Sequence, residues 1–390
     1  MRDHIKHLPV NWIDGMKINK SHFIAQDDAW HDALFDTASL CTSPLRFGIL
    51  PSSAAGEDNF NVRISLDNQN SMRVAVLACQ AVTPGGIRVS LPAMNGFSGD
   101  NSDGVPAFSF SVPEGRSEST WWIVLLVHPF EKQPIGSPDL TENPPRYPHV
   151  LPRYSVQVIS ETEYSQFAYN PYALMIGKIS GSGSNLRAES DYIPPCYSIS
   201  ASQDLLSLHA ELDQFLSKLE TLCSQIVQKI FRRNQQNEIS ELVMFLCDRM
   251  MLYLGQAITS MRWTMVHDSP AALFACIASL SRVMKNTIDL RIGSGKEEML
   301  NYLTEWCELK QGELETMLDS LANIRFDNND INKNIVRVTP FVRITLKLFD
   351  TLSKLEFIGK RKDSGIFVKE ERPTRVEQPE VKTIKRRFLG

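Results

Sequence analysis

The chain has 390 residues, which is longer than a single domain with one hydrophobic core usually is. Its composition, 43% hydrophobic and 22% charged residues, excludes a disordered or fibrous protein. A formal net charge of -4 and a pI near 6.1 give no general basis for binding nucleic acid or a membrane surface. The seven cysteines include no CxxC pair, which predicts free thiols in a reducing compartment. The first residues are polar and lack the apolar segment of a signal peptide, so we expect a cytoplasmic location.

The first half of the chain predicts a β-rich domain over residues 1–198. Pro, Gly, Ser and Asn separate many short apolar or alternating segments, which favours an antiparallel β-sandwich or an open barrel. The six prolines within residues 131–152 predict a long surface loop. The predicted strands are 62–66, 73–82, 87–91, 105–112, 121–127, 154–160 and 174–179, with 73–91 forming a hairpin and 121–127 a central strand.

After Pro194 and Pro195 the pattern becomes helical. Apolar residues recur at alternating steps of three and four, which is a strict heptad seam. The seam residues are Leu205, Leu208, Leu212, Phe215, Leu219, Leu222 and Ile226. Such a narrow stripe packs against one or two partner helices.

Three more helices are predicted before residue 327. The second runs over 238–266, the third starts at Ser269 and Pro270, and the fourth covers 296–324. Four long helices joined by short turns predict an up-and-down bundle over residues 199–326.

The last part, residues 327–390, is predicted to hold a polar linker at 327–334, one short helix from Pro340 to about residue 357, and a basic tail. From Lys360 onward ten Lys and Arg residues face five carboxylates. Because acidic residues interrupt the basic ones and aromatic side chains for base stacking are nearly absent, we expect protein contacts rather than nucleic-acid binding.

The sequence predicts no catalytic, cofactor-binding or metal site. GxSxG, HExxH and GxGxxG motifs are missing, although residues distant in sequence can still meet in space. His4, His7 and His22 have no Cys or carboxylate at metal-ligand spacing. The longest apolar run, residues 121–127, is too short for a membrane span of about 20 residues, so no membrane insertion is expected.

Residues 10–27 resemble the N-terminal signature of the TssK family, baseplate subunits of the bacterial type VI secretion system. The matching residues, in order and spacing, are Val10, Trp12, Gly15, Met16, His22, Phe23, Gln26 and Asp27. Residues 191–196, with Ile-Pro-Pro-Cys, resemble the family segment that leads into the first long helix. Residues 83–86 and 267–273 resemble two further family segments more loosely.

The resemblance implies a β-sandwich shoulder, a helical neck, a C-terminal head and a homotrimer at the inner face of the cell envelope. In such a trimer the seam of residues 205–226 would lie at the trimer axis; the alternative is that it packs within the helical bundle of one chain. It implies that the shoulder binds TssF- and TssG-like wedge subunits and that the C-terminal part contacts a component of the membrane complex. The implied wedge-binding residues are Trp12, Gly15, Met16, His22, Phe23 and Gln26. The alternative for Trp12 and Phe23 is a local core.

One departure from the family lies at the C-terminal end. About 60 residues follow Asp330, and half of them form the basic tail, so the head is expected to be reduced or replaced. The alternative function is a phage-tail-like receptor-binding or adaptor protein of a contractile injection machine. Such a protein should carry a larger C-terminal ligand domain.

Overall fold

The computed structural model describes residues 6–52, 59–66, 71–91, 107–111, 120–181, 187–291, 293, 295–307 and 309–359. The chain divides into two compact units. The first comprises Met1–Leu205, His267–Ala271 and Phe326–Asn332, and the second comprises Leu206–Val266, Ala272–Arg325 and Lys333–Gly390. The three domains expected from the sequence, with borders at 198 and 326, stay a prediction.

Strands lie in the first unit and most of the helical residues in the second. The strands are β1 Gly48–Ile49, β2 Phe60–Leu66, β3 Ser71–Val82, β4 Arg88–Leu91, β5 Ala107–Ser111, β6 Thr120–Ile135, β7 His149–Ser160, β8 Ala173–Ser180 and β9 Arg187–Ala188. The α-helices are α1 Lys20–Ser39, α2 Tyr164–Phe167, α3 Gln203–Arg232, α4 Glu238–Trp263, α5 Ala271–Asp289, α6 Lys296–Cys307, α7 Gln311–Ala322 and α8 Ile331–Lys354.

Two antiparallel sheets lie in the first unit. Together with the helices of the second unit they confirm the α+β class, which the predicted β-rich first half and helical second half imply. In one sheet β3 pairs with β1, β2, β4 and β5, and in the other the order is β7-β6-β8-β9. Strand β6 is central, as predicted, because its first residues are apolar on both faces and are buried there. Its Trp121 ring lies 5.2 Å from Phe110 of β5, so side chains of the two sheets meet in the core.

The predicted hairpin is formed by β3 and β4. The Thr83 amide donates to the Ile87 carbonyl at 3.0 Å and closes the turn. Gly86 adopts φ +80, and a Cβ there would lie 2.5 Å from the Ser39 amide nitrogen, so only glycine fits.

Two expectations for the first unit were wrong. It contains a 20-residue helix, α1, where strands and loops were expected. The long loop is shorter than 131–152, because β6 continues to Ile135 and β7 begins at His149. Pro134 and Pro152 are tolerated because β8 pairs only with the first part of β6 and β7 is an edge strand, which leaves one side of each proline unpaired.

Residues 327–332, which we name the polar clasp, were expected to be part of a linker. They are instead built into the first unit. Asn328 and Asn329 are fully buried, and their side-chain amides donate to the carbonyls of Phe47 at 2.9 Å and Ala168 at 2.8 Å. These bonds satisfy buried carbonyls that would otherwise lose their hydration.

Asp327, Asp330 and Asn332 of the polar clasp also form hydrogen bonds or ion pairs with residues of the first unit. The Tyr164 hydroxyl donates to Asp327 at 2.7 Å, and the Lys178 ammonium lies 3.2 Å from Asp330. Burial and the neighbouring Asp327 carboxylate raise the pKa of Tyr164 far above its usual value, so it stays a neutral donor. Asn332 accepts from the Ile193 amide at 2.9 Å.

The seam residues of α3 are core residues; Leu205 belongs to the first unit and the other six belong to the second. All seven seam side chains are buried, none more than 2% exposed, within a single chain. Phe215 packs edge-on against Phe341 of α8, with ring centroids 6.4 Å apart. This burial favours packing within the same chain, and a role of the seam at a trimer axis stays a prediction.

The other helices differ from the predicted set in two places. The fourth helix is divided into α6 and α7, with Lys310 capping α7. The last helix begins at Ile331 rather than at Pro340, which lies within it. The carbonyl that Pro340 leaves without a donor belongs to Val336, whose side chain is 71% exposed, so water can take the place of the missing amide.

Helix α4 is long and apolar enough to cross a membrane by length and composition, with a mean hydropathy of 1.3 over its best 18 residues. Nearly half of that stretch is buried within the structure. Its Leu242, Leu246 and Met250 form a buried stripe in the second unit, as a core helix of a folded domain does.

Candidate partner-binding site

The residues before α1 fold back along it as an extended arm, residues 6–18. Near the far end of the helix the Asp32 carboxylate, 1% exposed, accepts the backbone amides of Lys6 at 2.7 Å and His7 at 3.0 Å. The two amides satisfy an otherwise buried charge, so Asp32 fixes the start of the arm.

Gln26 holds the middle of the arm. Its side-chain carbonyl accepts from the Val10 amide at 3.1 Å and from the Trp12 indole at 3.3 Å. Gly15 then reverses the chain with φ +76, and Asn19 caps α1 reciprocally with His22. The arm therefore runs antiparallel to the helix.

Two residues of β6 anchor α1 to the sheet. The Lys132 ammonium donates to Asp27 and lies 3.0 Å from Asp28. This hydrogen bond lowers the pKa of Asp27; the pKa of Lys132 rises because the two carboxylates outweigh its burial. On the same strand, the centroid of the Phe130 ring lies 4.0 Å from that of His7, and Phe130 packs edge-on against Phe35 with centroids 6.4 Å apart.

Asp27, Asp28 and His31 are the group among the described residues that could hold a metal ion. Their ligand atoms lie within 4.8 Å of one another. The Lys132 ammonium already contacts both carboxylates, and a cation bound there would have to displace it. The arrangement therefore works as an ion-pair anchor for α1.

Large apolar side chains of the arm and α1 remain exposed. We name this surface the apolar strip; it consists of Trp12, Ile13, Ile18, Phe23, Ile24, Trp30 and Leu34, each between 41% and 65% exposed. Phe23, Trp30 and Leu34 share one face of α1, because they follow at spacings of seven and four. The Trp12 ring lies 6.1 Å from that of Phe23, which continues the face onto the arm.

The structure gives the six predicted wedge-binding residues different places. Trp12 and Phe23 are both exposed, with ring centroids 6.1 Å apart, which favours a surface position over a local core. Gly15 makes the turn, and Met16 beside it is half-buried. His22 and Gln26 are also half-buried and hold the arm and the helix cap. Their proposed role toward a partner stays a prediction.

Sequence reasoning missed Trp30 and Leu34. They lie in a helix that was not predicted, since only Ala29 and Asp32 of α1 are buried and the helix lacks the usual core-facing stripe. The available signal was the start of the helix, where Asn19 and His22 stand at capping-box spacing.

No family model and no curated protein matches the chain. Solved structures of TssK, the family that residues 10–27 resemble, do match. A crystal structure of TssK is 15% identical, covers 89% of this chain and 70% of its own, and has a TM-score of 0.42. TssK of the EAEC type VI secretion system, bound to a nanobody, is 14% identical, with coverage of 84% and 99% and a TM-score of 0.43. TssK in a TssK-TssF-TssG baseplate subcomplex is 14% identical, with coverage of 89% and 99% and a TM-score of 0.41.

Proposed function

We propose that the protein is a structural baseplate subunit of a type VI secretion system. It attaches through the apolar strip to TssF- and TssG-like wedge subunits and links the baseplate toward a membrane anchor through its C-terminal part. The role is one of assembly at the inner face of the cell envelope, not of catalysis.

The observation that carries the proposal is the apolar strip on a fixed arm. Large exposed apolar surfaces are costly in water and commonly mark protein interfaces, where aromatic side chains supply much of the binding energy. Trp12 and Phe23 lie within the segment that carries the TssK-like signature, and both are exposed.

The arm is also held in one place before any partner binds. Asp32, Gln26 and Lys132 tie it to α1 and α1 to the sheet. A surface fixed in this way loses little conformational entropy on association, which favours tight binding for its area.

The test is a pull-down of purified candidate wedge subunits with Trp12→Ala, Phe23→Ala and the double variant. We expect each single variant to weaken binding about tenfold or more, as truncation of a central aromatic residue does. The matched control is Trp263→Ala, since Trp263 is 78% exposed on α4 and lies outside the strip. Full binding by the double variant, with an unchanged circular-dichroism spectrum, would contradict the proposal.

The proposed assembly is a homotrimer. Three copies would present three apolar strips, so the second and third contacts would form at high effective concentration. Because the seam residues are buried within one chain, we expect the trimer contact to use other surfaces. Light scattering on the purified chain measures the mass directly, and a monomer at micromolar concentration would contradict the trimer.

A further inference from the structure

An open groove of about 720 Å³ lies in the second unit between α3 and α4. Apolar side chains line it, among them Phe231, Met244, Phe245 and Met251. Phe231 is a large apolar residue, yet its side chain is 66% exposed. Methionine and phenylalanine together make a surface that adapts to apolar side chains of different shape.

The rim of the groove carries two exposed carboxylates, Glu241 and Asp248. Neither makes an ion pair with any other residue that the structure describes. Arg291 also lines the groove, and its guanidinium lies over the Phe245 ring, 4.4 Å from the ring centroid. An apolar floor with free carboxylates at its rim suits an apolar segment that is flanked by basic residues.

The described chain ends close to this groove. Gln235 and Asn237, in the loop that joins α3 to α4, bind the last residues: the Ile358 amide donates to Gln235 at 3.0 Å, and Asn237 donates to the Ile358 carbonyl at 3.0 Å. Residues 360–390 lie beyond the described residues and continue from this point.

Residues 365–369, which follow the described end of the chain, are near enough in sequence to reach the groove. Glu241 to Met251 lie four to fourteen residues beyond Asn237, or about 6 to 21 Å at 1.5 Å per residue along the helix. Residues 365–369 follow Gly359 by six to ten residues and can extend about 20 to 35 Å. Their sequence is Gly-Ile-Phe-Val-Lys, three apolar residues followed by a base.

We propose that residues 365–369 dock in the groove of their own chain. Ile366 and Phe367 pack against Phe231 and the methionines, and Lys369 faces the rim carboxylates. A short connection from Gly359 keeps the segment at high local concentration, so modest contacts suffice. The groove is then a binding site for a segment of the chain itself, independent of the apolar strip and of the proposed baseplate function.

The test places a photo-crosslinking benzoylphenylalanine at position 367 of the full chain. Irradiation of mixed isotopically light and heavy chains, followed by peptide mass spectrometry, shows which residues react and whether they belong to the same chain. We expect same-chain products on Met244 or Met251. Products that join light to heavy chains, or products spread over the surface, would overturn the proposal.

A matched pair of variants sharpens the result. Phe231→Asp should lower the yield of the same-chain crosslink about tenfold, because it puts a charge into the proposed contact between Phe231 and Phe367. Leu252→Asp, at a position 67% exposed and outside the groove lining, should leave the yield unchanged. Both substituted side chains are largely exposed, so both variants should fold. An equal effect of the two, or none, would overturn the proposal.

Discussion

Helices α1 and α3 show two uses of apolar residues in one chain. In α3 the seven seam side chains recur with a regular alternation of three and four and are all buried. In α1 Phe23, Trp30 and Leu34 share a face but stay more than 60% exposed. The regular stripe makes a core, and the sparse one makes a surface.

The difference lies in what holds each helix. The α3 helix is held by the burial of its stripe, which is the dominant favourable term in folding. By contrast, α1 is held by polar contacts: the ion pair of Lys132, the buried Asp32 carboxylate and the Asn19 cap. Because those contacts fix α1, its aromatic residues are left free for a partner.

The largest expected effect is on the α3 side of this comparison. Leu219 is fully buried, so Leu219→Ala should lower the free energy of unfolding by about 2–5 kcal/mol through lost burial and a cavity. Leu252→Ala, at an exposed site, should change it by less than about 0.5 kcal/mol. Urea denaturation followed by circular dichroism measures both. A small effect at Leu219 would mean that the seam is not a core in solution.

The polar clasp gives the next largest effect. Asn329→Ala removes the donor to the buried Ala168 carbonyl and should cost about 1–3 kcal/mol of unfolding free energy. Asn323→Ala, at an exposed helix end, is the control and should cost less than about 1 kcal/mol. Equal losses in denaturant titrations of the two variants would show that residues 327–332 are a linker after all.

The contrast also explains what sequence could predict. The seam and the strand at 121–127 were identified because regular periodicity and unbroken apolar runs report burial directly. The α1 helix and the polar clasp were missed for the opposite reason. Asn328 and Asn329 read as loop residues, and their burial depends on the carbonyls of Phe47 and Ala168, which are distant in sequence.

The candidate site was predicted only in part. Trp12 and Phe23 were found through the family-like signature, not through periodicity. Lys132 was not found, because its partners Asp27 and Asp28 lie 105 and 104 positions away and meet it only in the folded sheet.

A smaller effect is expected at the anchor of α1. Lys132→Met should cost about 0.2–1 kcal/mol at pH 7, the range for partly exposed ion pairs. The pKa of Asp27 is lowered from 3.8 in the folded state, so its contribution is present above that value and is lost as the pH falls through the folded pKa. Wild type and Lys132→Met should therefore converge in stability as the pH falls below 3.8 and through the lower folded pKa of Asp27. A difference that persists there would point to packing of the lysine stem instead.

The smallest expected effect on stability is at Trp30, and it tests the comparison most directly. The side chain is 64% exposed on α1, so Trp30→Ala should change the free energy of unfolding by less than about 0.5 kcal/mol. The same substitution should weaken capture of a wedge subunit, because Trp30 shares its face with Phe23. Loss of binding without loss of stability would identify Trp30 as a surface residue. Leu219→Ala cannot make this distinction, because it lowers the stability of the fold itself. A large stability loss at Trp30 would instead place it against a neighbour and remove it from the apolar strip.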